Sequence, residues 1–178
     1  MMRTGDWLQT FTGKKFWPLD PQPCEVDIRD IAHSLSLQCR YAGHCRKFYS
    51  VAEHSVHVST HLRDFGKEVA LWGLLHDAAE AYVVDVPRPL KRFLSGYAQA
   101  EQRVMDAICV RYGMSPGMPA VVKDADNRIL ADEKRQNMAD LEWDYVPGPA
   151  IGVKLQFWQP AQAEAEFLRH FIMLGGAL

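Results

Sequence analysis

The chain has 178 residues, 48% of them apolar, which suffices for one compact domain with a substantial core. Its formal net charge of −2 argues against a surface that coats nucleic acid, because such surfaces carry an excess of basic residues. No apolar run reaches the roughly 18 residues of a membrane span, and the N-terminus lacks the apolar core of a signal peptide, so we expect a soluble cytoplasmic protein.

Irregular structure is expected at the N-terminus and helices over most of the remaining chain. Residues 1–26 are rich in aromatic residues, proline and glycine, a composition that predicts turns or a short hairpin. Residues 145–152 form a break, and residues 152–158 could pair as a short strand. Apolar periodicity predicts helices over approximately 27–38, 50–65, 67–82, 98–113, 120–141 and 161–174.

Two of the helix starts carry residues that favour them. Ser50 is a candidate N-cap for the second helix, and Glu53 three residues later would complete a capping box. Pro160 suits the first turn of the last helix, where the N–H that proline lacks is not needed. The sequence therefore predicts an all-α fold, a single helical domain over residues 1–178 with an irregular N-terminal segment, 1–26, packed on it.

In the second helix, the phase of the side chains singles out His54. Successive helical residues lie about 100° apart, so His54 falls in the middle of the apolar face that includes Val51 and Val58. A lone histidine on an apolar face is more often a core residue than a ligand. The other polar residues nearby are most simply an exposed edge of this helix: Glu53, His57 and His61.

The third helix contains an adjacent histidine and aspartate in an apolar run. Every position from Val69 to Leu75 is apolar, which indicates a helix buried all round. Burial of His76 and Asp77 side by side costs free energy unless a partner compensates them. Gly73, one turn before His76, leaves space on the face where another group must approach.

Helical phase adds one acidic residue of the fifth helix to these inward-facing candidates. Asp126 falls on the apolar face of Val122 and Ile129, whereas Asp124 and Asp132 point away from that face. Four candidate ligands thus face the core from three helices: His54, His76, Asp77 and Asp126.

Two imidazoles and two carboxylates form a ligand set that suits a divalent metal ion. Zn²⁺, Mn²⁺, Co²⁺ and Fe²⁺ accept this mixture, and Mg²⁺ could occupy a second position. The cation would neutralise the buried carboxylates, and water bound to it would become a nucleophile near neutral pH. Glu80 lies one turn beyond His76 and Asp77, where it could act as a general acid or base.

Four short blocks of the sequence resemble those of the HD-domain metal-dependent phosphohydrolases. They are EHS at 53–55, HDAAE at 76–80, DVPRPLK at 85–91 and DADN at 124–127, and they occur in the order of that family. The likeness extends over most of the chain and is closest to compact prokaryotic and phage members, which include 5′-deoxynucleotidases and dATP triphosphohydrolases. It implies an all-α fold and a homo-oligomer.

The resemblance also implies roles for individual residues. The four ligand candidates match the metal ligands of the family, in agreement with the phase argument. Glu80 matches its acid–base residue, and Asp85 matches a second active-site carboxylate near the sugar or the attacking water. Lys91 matches a lysine that faces phosphate.

Further residues are candidates for binding the substrate. The family has an arginine followed by an aromatic residue, which contact phosphate and base or sugar. Arg40 and Tyr41 match this pair best, and Arg46 competes for the role of the arginine. Basic side chains at the mouth of the pocket would favour a substrate with a longer phosphate tail; Arg88 and Arg92 are candidates for this position, which the sequence alone does not fix.

The expected function is removal of phosphate from deoxynucleotides by a metal-bound hydroxide, in the cytoplasm of a bacterium or a phage-infected host. A 5′-nucleotidase acting on monophosphates and a triphosphohydrolase acting on triphosphates such as dATP both fit. A non-catalytic nucleotide sensor is an alternative, although it predicts a degraded site and this set is complete. A nuclease acting on single strands is another, and the acidic balance weighs against it.

Overall fold

The chain is mostly helical, in agreement with the predicted all-α class. The computed structural model describes residues 3–144 and 148–178, so part of the predicted break, residues 145–147, lies outside the described residues. The strands β1 (Leu8–Gln9) and β2 (Lys15–Phe16) form an antiparallel hairpin. The helices in chain order are α1 (Ile28–Leu37), α2 (Val51–His61), α3 (Lys67–Leu75), α4 (Glu80–Val83), α5 (Arg88–Lys91), α6 (Tyr97–Tyr112), α7 (Ala120–Asn137) and α8 (Pro160–Met173).

The hairpin confirms the turn-rich structure predicted for the N-terminal segment. Leu8 pairs with Phe16 across the two strands. The Phe16 side chain is fully buried, and its ring stacks on that of Tyr82 with 3.8 Å between the centroids. This aromatic contact attaches the hairpin to the helices.

Three helices begin at the residues that favour a start. The Asp27 carboxylate accepts a hydrogen bond from the backbone N of Arg29 at 3.0 Å and caps α1. Ser50 Oγ accepts from the backbone N of Glu53 at 3.0 Å, which confirms the predicted N-cap of α2. Pro160 occupies the first turn of α8, as predicted.

The third helix ends at Leu75, so the prediction that it continues to Tyr82 was wrong. Beyond Leu75 the hydrogen bonds shorten to three-residue spacing, as in the 3.0 Å bond from the backbone N of Glu80 to Asp77 O. The cause lies in His76, whose Nδ1 lies 2.8 Å from Gly73 O. That carbonyl would accept from the backbone N of Asp77 if the α-helix continued.

The predicted strand at 152–158 is absent from the described structure, and the predicted exposed position of Glu53 was wrong. The Glu53 side chain is fully buried. Its carboxylate accepts three backbone hydrogen bonds, from Gln156 at 2.7 Å, Phe157 at 2.9 Å and Trp158 at 2.7 Å. Because these N–H groups bind a side chain, they are not available to a strand partner. Because the Glu53 carboxylate is engaged in these three bonds, it does not complete the capping box that was predicted with Ser50.

Helix α2 lies at the centre of the fold and packs against α1, α3, α7 and α8. Gly73 brings α3 close to it, since a Cβ at that position would lie 3.1 Å from Ser59 Cα and 2.9 Å from Leu62 Cδ1. The space that Gly73 leaves is therefore filled by the backbone of α2. No helix in the described part of the chain is long and apolar enough to cross a membrane.

Candidate metal centre

Three buried side chains from separate segments converge on one point. His54 lies on α2, His76 follows the last residue of α3, and Asp126 lies on α7. One ligand atom from each of them lies within 4.8 Å of the other two, and all three residues are buried. This buried group could hold a metal ion.

The distances between these atoms match those expected around a metal. The Nε2 atoms of His54 and His76 are 3.2 Å apart. Asp126 Oδ1 lies 3.4 Å from Nε2 of His54 and 3.8 Å from Nε2 of His76. Ligands bound to zinc at about 2.0–2.2 Å lie roughly 3.0–3.5 Å from one another in common geometries. The three residues therefore fit a single cation with little movement.

Asp77 adjoins the same imidazoles. Its Oδ2 lies 3.2 Å from Nε2 of His76 and 3.7 Å from Nε2 of His54. It does not belong to the mutually close group that includes Asp126, so it is an additional candidate ligand. The four residues selected by helical phase all have contacts within this cluster.

The opposite ring nitrogens of both histidines are bound to oxygen atoms. His54 Nδ1 lies 2.7 Å from Glu133 Oε1, and His76 Nδ1 lies 2.8 Å from Gly73 O. A carboxylate and a carbonyl accept hydrogen bonds, so each Nδ1 carries the proton when its ring is neutral. Two Nε2 lone pairs then face each other at 3.2 Å, an arrangement that a shared cation stabilises.

Glu133 is a site residue that the sequence reasoning missed. Its side chain is fully buried, and its Oε2 accepts hydrogen bonds from Tyr41 Oη and, at 3.2 Å, from Arg40. Burial alone would raise the pKa of Glu133, but the charges of Arg40 and His54 lower it to about 2. Glu133 follows Asp126 by seven residues, two helical turns, and that spacing could have identified it.

The loop that follows α1 holds the predicted arginine–aromatic pair. Arg40 is buried, and its guanidinium lies 3.7 Å from Asp77 Oδ2 in addition to its contact with Glu133. Tyr41 has a positive φ of 58°, which turns its side chain from the loop towards Glu133. Through these contacts Arg40 holds Asp77 and Glu133 in place, and its buried guanidinium is little accessible to a substrate.

Arg46, the competitor for that role, lies at the exposed end of the same loop. Its backbone N donates to Asn137 O at 2.8 Å, at the end of α7. Within the ranges that the structure describes, no contact joins Arg46 to the four candidate ligands. Of the two arginines, the structure brings Arg40 to the cluster and leaves Arg46 outside it.

Glu80 presents a buried carboxyl group beside the cluster. Its Oε1 lies 3.9 Å from Lys91 Nζ, and its Oε2 has no hydrogen-bond partner among the described residues. Burial raises the pKa of Glu80 well above its usual range, and the charges of Asp77 and Asp85 raise it further. A carboxyl group in this position holds its proton to a higher pH than an exposed carboxyl group does.

The side chain of Gln38 and the backbone at Val84 position Asp85. Its N–H donates to Gln38 Oε1 at 2.9 Å, and Gln38 Nε2 donates to Glu80 O at 3.0 Å. Val84 has a φ of 72°, a strained conformation for a β-branched residue. Burial raises the pKa of Asp85, and the opposing charges of Arg40 and Asp77 both act on it. Gln38 has no sequence signal of its own and was missed.

Basic side chains approach the outer side of the cluster. Asp126 Oδ2 lies 2.8 Å from Lys123 Nζ and 3.7 Å from the guanidinium of Arg88. Lys91 forms an ion pair with Glu101 as well as approaching Glu80. Arg88 and Lys91 were predicted near the site, whereas Lys123 was not.

Comparison with known proteins identifies two relatives of the chain. It is 43% identical over 129 residues to YfdR of Escherichia coli (strain K12), an alignment that covers 72% of this chain and 71% of that protein. It is 30% identical over 187 aligned residues to RCAP_rcc00048 of Rhodobacter capsulatus, which covers 94% of this chain and 95% of that protein. The chain belongs to the YfdR family. No family model matches it.

Both of these YfdR-family relatives are described as uncharacterized proteins, so kinship assigns no activity. The chemistry open to this YfdR-family chain therefore follows from the side chains of its candidate site. They comprise a buried group of two imidazoles and one carboxylate, the adjoining carboxylate of Asp77, a buried carboxyl at Glu80, and cations on two sides. Such a set can bind a divalent ion and an anionic ligand together.

Proposed function

We propose that the protein is a metal-dependent phosphohydrolase that removes phosphate from deoxynucleotides. One observation carries the proposal: the Nε2 atoms of His54 and His76 lie 3.2 Å apart with both Nδ1 atoms already bound. Asp126 completes a buried group suited to a divalent ion. The HD-domain resemblance of the sequence, whose motif residues supply this group, supports phosphate chemistry.

The residues present fit a borderline divalent ion. His54, His76, Asp77 and Asp126 would hold Zn²⁺, Mn²⁺, Co²⁺ or Fe²⁺, because each of these ions accepts imidazole and carboxylate together. When bound, the ion supplies Lewis-acid stabilisation of phosphate oxygens and lowers the pKa of water. A second ion, such as Mg²⁺, is part of the same proposal.

Other side chains would move the proton and hold the substrate. Glu80, with its raised pKa and unpartnered Oε2, would donate a proton to the leaving oxygen. Lys91 lies 3.9 Å from Glu80 and would bind a phosphate oxygen beside that proton. Asp85, held by Gln38, would orient water or the sugar hydroxyl. Tyr41 would contact the base or sugar.

The test combines metal analysis with a nucleotide panel. The purified protein would be loaded with each of the four metals, incubated with deoxynucleoside mono- and triphosphates, and its products identified by ³¹P NMR. Metal-dependent release of phosphate, lost in His76→Ala and Asp126→Ala together with the metal, is the expected result. His61→Ala, on the same helix as His54 and outside the cluster, should match the wild type.

Two other results would contradict the proposal. Nucleotide binding without turnover under all four metals would make the protein a nucleotide sensor. Cleavage of labelled single-stranded oligonucleotides, with mononucleotides left intact, would make it a nuclease.

We also propose a cytoplasmic location and a homo-oligomeric state, both of which follow from the resemblance and from the nature of the substrate. Nucleotide pools are cytoplasmic, and compact members of the HD group are commonly oligomers. Light scattering on the purified chain measures the mass, and a monomer at micromolar concentration would contradict the second part.

A further inference from the structure

Two cysteine thiols lie in contact at the base of the loop that carries Arg40 and Tyr41. The Sγ atoms of Cys39 and Cys45 are 3.5 Å apart, and both residues are partly exposed. The two sulfur atoms of a disulfide lie about 2.05 Å apart, so an approach of roughly 1.5 Å would join them. Because both residues are partly exposed, a small oxidant can reach the pair from solvent.

Backbone hydrogen bonds hold both ends of this loop. At the first end, Cys39 pairs with Ser50 in an isolated antiparallel bridge. At the second end, the residue after Cys45 is Arg46, whose backbone N donates to Asn137 O at 2.8 Å. The fixed backbone on both sides therefore keeps the two sulfur atoms close to each other.

The backbone between the two cysteines is in an unfavourable conformation. Tyr41 and Ala42 have φ values of 58° and 51°, which residues other than glycine rarely adopt, and Gly43 follows with a φ of 80°. Such a conformation persists only where surrounding contacts determine it. Here Tyr41 O accepts from the backbone N of His44 at 3.0 Å, and the Tyr41 hydroxyl donates to Glu133. A covalent bond across the loop would add a further constraint to this turn.

We propose that Cys39 and Cys45 form a reversible disulfide that restrains the loop of residues 40–44 beside the candidate metal centre. With a peroxide as the oxidant, the Cys39 thiol is first oxidised to a sulfenic acid, and one water is released. The Cys45 sulfur then attacks the Cys39 sulfur, and the sulfenic hydroxyl leaves with the thiol proton as a second water. Two electrons pass from the thiols to the peroxide, and a dithiol reductant returns two electrons and two protons.

The environment of Cys45 suits it to the second of these steps. Burial and the contact with Cys39 raise the pKa of the Cys45 thiol to about 11. It therefore keeps its proton at neutral pH and attacks peroxide slowly, since the thiolate is the reactive form. Its contact with Cys39 places it to capture a sulfenic acid formed there. In a reducing compartment, disulfides of this kind are transient and act in redox sensing.

Differential alkylation followed by mass spectrometry tests the bond itself. The full-length protein, with zinc as the only added metal, would be treated with hydrogen peroxide, its remaining thiols alkylated and its linked peptides identified. A disulfide between Cys39 and Cys45 that dithiothreitol reverses is the expected result. Cys39→Ser and Cys45→Ser should each abolish it, and Cys109→Ser, at a buried cysteine, is the matched control that should retain it.

Thermal denaturation and hydrogen exchange test the restraint on the loop. A cross-link removes conformational freedom from the unfolded chain, so oxidation should raise the Tm of the wild type by about 4–8 °C. Hydrogen exchange of residues 40–44 should slow in the oxidised protein. Cys45→Ser treated with the same peroxide should show neither change, and it controls for oxidation of methionine.

Two kinds of result would overturn the inference. If peroxide leaves Cys39 and Cys45 as free thiols, or carries them to sulfinic acids without a linked peptide, the pair is not a disulfide site. A disulfide that forms but leaves Tm and loop exchange unchanged would overturn the restraint. None of these measurements depends on nucleotide turnover, so their failure is distinguishable from failure of the proposed function.

Discussion

At the scale of single residues, the candidate site depends on groups that lie behind its ligands. His54 and His76 present Nε2 because Glu133 and Gly73 O hold their Nδ1 atoms at 2.7 and 2.8 Å. A ring bound in this way loses little rotational freedom when its other nitrogen binds a metal. The carboxylate of Glu133 also neutralises Arg40, so one buried acid orients both a histidine and an arginine.

This dual role makes Glu133→Gln informative. The amide keeps the volume but loses the charge, so His54 is held less firmly and Arg40 loses its buried partner. We expect metal affinity to fall by roughly 10–100-fold, measured by competition with a chromophoric chelator. Glu142→Gln, an exposed glutamate beyond α7, is the control, and equal affinities in the two variants would contradict the role given to Glu133.

Glu80→Gln separates proton transfer from metal binding. The substitution removes the proton that we assign to Glu80 and leaves the four candidate ligands in place. The metal content should remain that of the wild type, while kcat should fall about 10²–10⁴-fold. Atomic absorption and a phosphate-release assay on the same preparation measure both quantities. A variant with wild-type kcat would show that another group transfers the proton.

At the scale of secondary-structure elements, caps and close approaches position the helices that carry the site. Asp27 accepts hydrogen bonds from Arg29 and Lys14, and so joins the start of α1 to the N-terminal hairpin. Gly73 allows α3 to approach Ser59 of α2, which is what brings His76 to His54. Neither residue is a candidate ligand, yet both determine where ligands lie.

The cap at Asp27 predicts a pH dependence of stability. Hydrogen bonds from Arg29 outweigh burial and lower the pKa of Asp27 well below its usual range. A carboxylate whose pKa is lower in the folded than in the unfolded state stabilises the fold fully at pH values above the unfolded pKa of about 3.9. This stabilisation decreases as the pH falls from that value through the folded-state pKa.

Asp27→Ala should therefore lower the free energy of unfolding by about 1–2 kcal/mol at pH 7. Urea denaturation at pH 7 and at pH 3 measures the difference between variant and wild type, which should shrink at the lower pH. A difference that is the same at both pH values would show that the charge of Asp27 contributes nothing.

The close approach at Gly73 predicts that a single added methyl group lowers the stability of the fold. Gly73→Ala gains about 1 kcal/mol of helix propensity, but overpacking against the backbone of Ser59 costs about 1–3 kcal/mol. We expect a net destabilisation of up to about 2 kcal/mol together with weaker metal binding, measured by thermal denaturation and chelator competition. An increase in Tm with unchanged metal affinity would show that the helices can separate freely.

At the scale of the whole molecule, the candidate ligands join three parts of the fold around the central helix. His54, His76 and Asp126 belong to α2, to the turn after α3 and to α7, so an ion bound by all three links these elements. An ion that binds the folded chain and not the unfolded one stabilises the fold by mass action.

Removal of the metal should therefore lower Tm. At a free metal concentration of 100 times Kd, the stabilisation is about 2.7 kcal/mol. Scanning calorimetry before and after dialysis against a chelator measures the loss, and re-addition of the metal should reverse it. Asp126→Ala, which lacks one ligand, should show no response to metal, and a response equal to that of wild type would remove Asp126 from the ligand set.

The sequence by itself determined most of the local structure. Apolar periodicity predicted α1, α2, α3, α6, α7 and α8, but it extended α3 too far and did not predict α5. Ser50 and Pro160 predicted two of the helix starts, and helical phase distinguished buried Asp126 from exposed Asp124. These predictions succeed because each depends on residues within one or two turns of the same helix.

Only the tertiary structure decided which groups lie behind and around the ligands. Glu133 contacts a histidine 79 positions away in the sequence, and Glu53 accepts from backbone N–H groups more than 100 positions away, at Gln156 and beyond. Lys123 of α7 and Arg88 of α5 approach the same oxygen of Asp126 from two separate segments. No local pattern encodes these pairs, because each depends on how separate helices pack, and packing is settled by the whole core.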